Sequence, residues 1–101
     1  MDQPKRAQGR WQDESRPKRA DSVVAQRASD AVVLLHLESG RYFSLEGTGD
    51  RIWQLCDGVR TLEEIIRAVS DEFGAEPATV RADMLELLGD LEAEGLVDDA
   101  R

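Results

Sequence analysis

Few residues in this chain could carry out covalent or acid–base chemistry. Its 101 residues include one histidine, His36, and one cysteine, Cys56. His36 stands in an apolar stretch, which favours a structural role over that of a general base. Cys56 ends an apolar helix face, where a buried and unreactive thiol is the usual outcome. We therefore predict that the chain is not an enzyme and has no catalytic residues.

The sequence also lacks the patterns that hold a metal ion or a phosphate group. A zinc site requires several cysteines or histidines at short spacing, and this chain has one of each. In a phosphate-binding loop a Lys-Ser/Thr pair follows the glycines, and none follows the glycines at positions 40, 47, 49 and 58. The acidic residues of the predicted helices fit solvated surfaces. We predict no metal and no cofactor.

With catalysis, metal binding and phosphate binding excluded, the remaining candidate function is main-chain hydrogen bonding to a partner at the edge of a sheet. Residues 33–45, VLLHLESGRYFSL, are typical of two strands joined by a tight turn at residues 38–40. The second strand, Arg41–Leu45, contains neither Pro nor Lys, which commonly protect an exposed edge. Since the chain then turns helical, we predict that the outer edge of this strand is open to an added strand.

Periodicity and capping signals predict the elements around this edge. Two strands precede it, a weak one at Ser22–Ala28 and an apolar one at Ala31–Leu37. Three helices follow: from Thr48 or Gly49 to Cys56, from a capping box at Thr61 to Phe73, and from Pro77 to Glu94. Three strands followed by three helices predict an α+β fold of the winged helix-turn-helix type, with a three-stranded antiparallel sheet as the wing.

The third predicted helix has more apolar surface than one core stripe requires. On a helical wheel its core stripe consists of Val80, Met84, Leu87 and Leu91. Leu85 lies roughly 140° from Val80, outside this stripe. Either Leu85 packs on a neighbouring helix or on the sheet, or it forms with Leu88 one wall of an apolar groove for a partner.

Charge is distributed unevenly along the chain. Residues 1–20 contain six Lys/Arg and three Asp/Glu (+3), residues 21–101 contain seven and 18 (−11), and the sum is −8. Because Trp11 is the one large apolar residue of the first segment beyond Met1, we predict a disordered basic tail over residues 1–20 and a folded domain over residues 21–101. The third helix has one Arg and five acids, which argues against nucleic acid as a partner.

Further features bear on location and assembly. No run of about 18 apolar residues could cross a membrane, and no apolar stretch near the N-terminus is typical of a secretory signal. With its single cysteine, the sequence favours a cytoplasmic protein without a membrane partner. It favours a monomer, and the open edge leaves a dimer as the alternative.

Residues spread from about position 22 to position 97 resemble the PqqD family. The family pattern is a strand, then G-x-Y-x-x-L, T/G-x-x-I-W, D-G-x-x-T-x-x-E-I and D-x-x-x-x-L-x-x-L-x-x-x-G-L. The matching residues are Gly40, Tyr42, Leu45, Gly49, Ile52, Trp53, Asp57, Gly58, Thr61, Glu64, Ile65, Asp83, Leu88, Leu91, Gly95 and Leu96. The resemblance rests on the ordered combination of these pieces.

The resemblance implies a recognition domain for ribosomally made, post-translationally modified peptides. Such domains bind the leader segment of a precursor peptide as a strand added to the third strand, against the third helix, and present it to a modifying enzyme or leader peptidase. The peptide-binding residues implied here are Arg41, Tyr42, Phe43, Ser44, Leu45, Arg81, Met84, Leu85, Leu88 and Glu92.

The family serves more than one pathway. The segments GRYFSL and RIWQL favour a role in lasso-peptide assembly. A chaperone of pyrroloquinoline quinone synthesis, acting with a radical S-adenosylmethionine enzyme, is one alternative. A winged-helix regulator or scaffold protein is the other.

These interpretations predict that Leu85→Glu or Leu88→Glu weakens leader binding without unfolding the domain, because both side chains would line the groove. Phe43→Pro should abolish binding by disrupting the edge. Fluorescence polarisation with a labelled leader peptide measures both effects. Unchanged affinity in a folded Leu85→Glu protein would contradict the predicted groove.

Overall fold

The computed structural model describes residues 10–101 and has two sheets and three helices in this range. The elements are β1 (Pro17–Arg19), β2 (Val23–Ala28), β3 (Ala31–His36), β4 (Tyr42–Glu46), α1 (Gly47–Leu55), α2 (Leu62–Phe73), α3 (Pro77–Ala93) and β5 (Val97–Asp99). Strands β2, β3 and β4 form an antiparallel sheet in that order, and β1 pairs with β5 in a two-stranded sheet. The predicted α+β fold, a three-stranded antiparallel sheet followed by three helices, is confirmed.

Hydrogen bonds around His36 fix the turn that starts β4. The imidazole Nδ1 accepts a hydrogen bond from the Ser39 N–H at 3.2 Å, and the His36 carbonyl accepts one from the Gly40 N–H at 2.9 Å. Gly40 has a φ of 76°, a conformation that glycine adopts without steric cost. The ring is nearly buried, so His36 holds the turn in place from beneath it.

The second helix begins and ends as its sequence predicts. Thr61 Oγ1 accepts from the Glu64 N–H at 3.2 Å, and the Thr61 N–H donates to Glu64 Oε1 at 2.9 Å. These two bonds form the expected capping box. Gly74 ends the helix in the left-handed region with a φ of 63°, where a side chain would be strained.

One hydrophobic core lies between the inner face of the larger sheet and the three helices. Strands β3 and β4 contribute alternate residues, because successive side chains point to opposite faces of a sheet. The buried side chains from the sheet are Val32, Leu34 and Leu45. Those from the helices are Ile52, Trp53, Leu55, Leu62, Ile65, Ile66, Val69, Val80, Met84, Leu88 and Leu91.

The prediction of a disordered tail over residues 1–20 is wrong for residues 10–20, and residues 1–9 lie outside the described range. Trp11 is only 3% exposed and belongs to the core. Strand Pro17–Arg19 pairs with Val97–Asp99 near the end of the chain. The Leu62 N–H also donates to the Ser15 carbonyl at 2.7 Å. Polar composition misled the prediction because one tryptophan and main-chain bonds suffice to hold this short segment.

The buried position of Trp11 predicts a large effect of its removal. Trp11→Ala should lower the free energy of unfolding by about 3 kcal/mol or more, since it removes a buried aromatic ring and leaves a cavity. Urea denaturation measures the change. Glu14→Ala, at an exposed site three residues away, serves as the control and should have little effect. Equal stability of the two variants would show that the segment does not pack on the domain.

Candidate functional site

The outer edge of β4 has no strand partner within residues 10–101. The hydrogen bond from the His36 N–H to the Arg41 carbonyl, 2.9 Å long, sets the alternation of the β3–β4 ladder. In an antiparallel pair every second residue bonds to its neighbour, so Phe43 and Leu45 direct their main-chain groups towards β3. The main-chain groups of Tyr42 and Ser44 therefore point outward, to the open edge.

Side chains along β4 separate into an inner and an outer face. Leu45 is buried and Phe43 packs against the core from a half-buried position, whereas Ser44 is exposed. Tyr42 lies on the outer face and is 73% exposed. This division of β4 into two faces follows from the alternation of side chains along a strand.

The outer face of the sheet carries an apolar row that ends at this edge. Tyr42 is opposite Leu35 in the β3–β4 register, and Leu35 is opposite Val24 in the β2–β3 register. All three side chains are exposed. An added strand would therefore place its own outer side chains next to Tyr42 and extend this row.

Helix α3 approaches β4 at both ends of the strand. At the start of β4, Arg41 Nε lies 3.0 Å from Glu94 Oε1. Near its end, a Cβ atom built on Gly49 would lie 3.9 Å from Cδ2 of both Leu45 and Leu87. The flank of α3 that faces β4 therefore includes Leu87 and Glu94.

A groove of about 280 Å³ lies on this flank of α3, beside the start of α1. We call it the β4–α3 groove because Gly49, which lines it, lies beside Leu45 of β4, although all of its lining residues belong to α1 and α3. Its lining residues are Thr48, Gly49, Ile52, Asp83, Glu86, Leu87 and Asp90. It combines a small apolar floor with three carboxylates from α3.

An ion pair with β2 positions the helix that forms one wall of this groove. Arg27 of β2 donates to both carboxylate oxygens of Asp50 in α1, at 2.8 and 2.6 Å. Gln54 Nε2 donates to the same carboxylate at 3.2 Å. The hydrogen bonds from Arg27 hold the pKa of Asp50 below its usual range. The carboxylate itself is nearly buried, so this pair fastens α1 to the sheet.

The structure divides the ten predicted peptide-binding residues into three groups. Residues Arg41–Leu45 lie along the open edge. Met84 and Leu88 are fully buried in the core, so neither side chain is available to a peptide in this conformation. The remaining residues, Arg81, Leu85 and Glu92, lie on the flank of α3 opposite to the β4–α3 groove.

The N-terminal segment covers that opposite flank. Arg81 lies 2.6 Å from an oxygen of Asp13, and Glu92 binds Arg10 at 2.6 Å and the Trp11 indole N–H at 3.1 Å. Leu85 packs against the core beside them from a half-buried position. Leu85 therefore packs on its surroundings, as the first alternative predicts, and the buried side chain of Leu88 does not form the wall of a groove in this conformation.

Two of the sequence-based mutations consequently test stability rather than the groove. Leu88→Glu would bury a carboxylate in the core, which costs several kcal/mol. Phe43→Pro would remove an N–H that faces β3 rather than the open edge. The prediction failed because a wheel gives the angle between residues, but not which flank a neighbouring segment covers.

The groove residues missed by the sequence analysis are Asp83, Glu86, Leu87 and Asp90. The acids matched a solvated helix surface, and Leu87 was assigned to the core stripe. On the helical wheel, the buried side chains of α3 point in directions centred between those of Met84 and Leu91. Leu87 points away from this centre and is only half-buried. The sequence did contain a signal for this surface, because these four residues recur at helical spacing and therefore share one flank of α3.

The structure also locates the one cysteine and the side chains of metal-binding types within residues 10–101. Cys56 is fully buried, and burial raises the pKa of its thiol to about 12. Residues 10–101 contain no group of three or more His, Cys, Asp or Glu side chains placed to hold a metal ion. Within the same range, none of the helices has the length and apolar character needed to cross a membrane.

A known protein family matches more than half of the chain. The family model described as coenzyme PQQ synthesis protein D (PqqD) matches residues 31–97. Two curated proteins of Rhodopseudomonas palustris, both named PqqA binding protein, match over 50 residues, with 38% identity in strain HaA2 and 36% in strain BisB5. Each match covers 50% of this chain and 49% of the relative, so this chain spans about half the length of these proteins.

Solved structures match over most of the chain. TbiB1 in complex with the TbiA(beta) leader peptide is 38% identical with a TM-score of 0.74, over 80% of this chain and 94% of that one. Lasso peptide synthetase B1 complexed with the leader peptide is 19% identical with a TM-score of 0.73, over 83% and 99% of the two chains. The PqqD truncation of Methylobacterium extorquens PqqCD, a RiPP recognition element, is 23% identical with a TM-score of 0.72, over 87% and 94%. At 19% and 23% identity, the last two matches show a shared fold only.

The Arg27–Asp50 pair predicts a pH-dependent contribution to stability. Asp50→Asn should lower the free energy of unfolding by about 1–2 kcal/mol near pH 7, because it replaces charge-assisted hydrogen bonds with weaker ones. Since the folded-state pKa of Asp50 is lowered, this contribution is complete well above the unfolded pKa of about 3.9 and disappears as pH falls through the folded value.

Urea denaturation of both proteins between about pH 7 and pH 3 measures this difference. The stabilities should converge at the acidic end. A difference that stays constant with pH would mean that the ionised form of Asp50 does not stabilise the fold. Asp71→Asn, at an exposed position of α2, is the matched control and should leave stability nearly unchanged.

Proposed function

The chain belongs to the PqqD family, and on this basis we propose that it binds the leader segment of a ribosomally synthesised precursor peptide. The leader adds as a strand to the outer edge of β4 and lies over the β4–α3 groove. The domain then presents the bound precursor to a modifying enzyme or a leader peptidase. Its role is recognition, without a catalytic step of its own.

The observation that carries this proposal is the unused hydrogen-bonding edge of β4. Tyr42 and Ser44 direct their main-chain donors and acceptors away from the sheet, as strand addition requires. Main-chain bonds would supply affinity, and the adjacent groove would select the side chains that face α3. The TbiB1 complex supports the same kind of ligand, because that protein is 38% identical and matches over nearly its whole length.

We further propose lasso-peptide biosynthesis as the pathway, because the segments GRYFSL and RIWQL favour it and a lasso peptide synthetase B1 complexed with the leader peptide shares the fold. The PqqA binding proteins favour the alternative, a chaperone of pyrroloquinoline quinone synthesis, but they align over half of the chain. The two roles differ in the leader bound. Side-by-side titrations with the TbiA(beta) leader and with PqqA therefore distinguish them.

A variant of the β4 edge tests the proposed mode of binding. Ser44→Pro removes an N–H that faces outward, so the β3–β4 ladder stays intact, and proline is tolerated at such edge positions. Binding of the fluorescently labelled TbiA(beta) leader should weaken by about tenfold or more, through a lost hydrogen bond and a steric clash. Fluorescence polarisation gives the affinity, and circular dichroism and urea denaturation give the stability.

Two controls make the result specific. Ser44→Ala removes the same side chain but keeps the N–H, and should bind the leader like the original protein. Phe43→Pro should instead destabilise the sheet, because its N–H is bonded to β3. Unchanged binding by a folded Ser44→Pro protein would rule out strand addition to β4. Sedimentation of the free protein at the assay concentration checks whether two copies pair through the same edge.

A further inference from the structure

The β4–α3 groove has a pronounced charge. Asp83, Glu86 and Asp90 line it, and no cationic side chain is among its lining residues. None of these three carboxylates forms an ion pair with another residue between positions 10 and 101. Gly49 of this groove lies close to both Leu45 of β4 and Leu87 of α3, and Arg41 at the start of β4 binds Glu94 just after α3. A strand added to the outer edge of β4 would therefore run along the flank of α3 that carries these carboxylates.

Two nearby acids do form ion pairs. Glu92 of α3 binds Arg10, and Glu94, just after the helix, binds Arg41. Asp90 lies close to the C-terminal end of α3, where the helix dipole disfavours negative charge, and the last turn contains no basic residue. Its position therefore costs helix stability without an internal compensation, which is typical of residues retained for binding.

The spacing of the carboxylates matches that of alternate residues in a strand. Glu86 and Asp90 are one helical turn apart, so their backbone positions are separated by about 6 Å along the axis of α3. Two residues of an extended chain span about 6.7 Å. Alternate side chains of an added strand point to the same face, so the two that face α3 can each meet one carboxylate.

From these observations we propose that the peptide bound at β4 carries two Lys or Arg side chains at alternate positions, i and i+2, which face α3. This inference rests on the proposed strand addition, and it defines the chemistry of the ligand at that site. The open edge and the groove define the site, and the carboxylates select a basic segment for it. Half-buried Leu87 offers an apolar surface to the stems of these long side chains.

Selection from random peptides tests the inference and does not require the sequence of the leader. A displayed library of random peptides of about 12 residues, long enough to cover a typical strand, is selected on the protein. Peptides that bind the original protein but not the Ser44→Pro variant are kept as edge-dependent ligands. We expect Lys or Arg to be enriched at alternate positions of these peptides.

Neutralised variants identify the groups that recognise the basic residues. The groove variant combines Asp83→Asn, Glu86→Gln and Asp90→Asn. Its affinity for the selected peptides should fall about 5- to 20-fold, and the loss should shrink at high salt. The control variant, Glu14→Gln with Asp71→Asn and Glu76→Gln, changes the net charge equally at exposed positions outside the groove. It should retain the original affinity to within about twofold.

A separate measurement distinguishes a binding role of Asp90 from a structural one. Asp90→Asn alone should be as resistant to urea as the original protein, or more so, while it binds the selected peptides more weakly. Edge-dependent peptides without enriched basic residues, or equal losses in the groove and control variants, would overturn the inference and leave strand addition standing. A selection that yields no edge-dependent peptide would overturn both.

Discussion

The structure depends on a hydrogen-bond ladder that is used on one side only. Strand β4 bonds to β3 through Arg41, Phe43 and Leu45, and the alternation of an antiparallel pair leaves the main-chain groups of Tyr42 and Ser44 facing outward. Exposed edges of this kind invite pairing with other chains, and proteins usually protect them. Here the edge is held in place by the His36-centred turn at its start and by the α1 helix at its end. Supports at both ends of a strand reduce the conformational entropy that it would lose on pairing with a further strand.

The N-terminal segment decides which surface of α3 remains available. Trp11 and the charged residues on either side of it occupy the flank of Arg81 and Glu92, and β1 closes against β5. Once this flank is covered, the opposite flank faces the solvent beside β4. A segment that resembles a solvated tail by composition thus decides which flank of α3 is covered. Its contribution comes from a few specific contacts rather than from its average hydrophobicity.

Stability and recognition place different demands on α3. The face with Val80, Met84, Leu88 and Leu91 supplies the core and is fixed by packing. On the flank with Asp83, Glu86 and Asp90, the last of these adds negative charge in the final turn of the helix, which does not favour the fold. The whole chain carries a net charge of −8, so these acids also add to its self-repulsion. Their concentration beside an open strand edge is consistent with a basic peptide that neutralises them on binding.

Local signals in the sequence determined the elements of the fold. The apolar runs and the turn in VLLHLESGRYFSL, the capping box at Thr61 and the glycine after α2 depend on neighbouring residues, so the order of the three-stranded sheet and the three helices could be derived from them, as could the open edge of β4. The tertiary structure alone decided the surroundings of α3. Leu88 and Leu87 are adjacent in sequence, and a shift of the core direction by a fraction of a turn buries the first and leaves the second in the groove. Likewise, the contact between Trp11 and Glu92 joins residues 81 positions apart, and no local pattern encodes such a pairing. Which flank of α3 stays exposed follows from these long-range contacts, because the N-terminal segment covers the other flank.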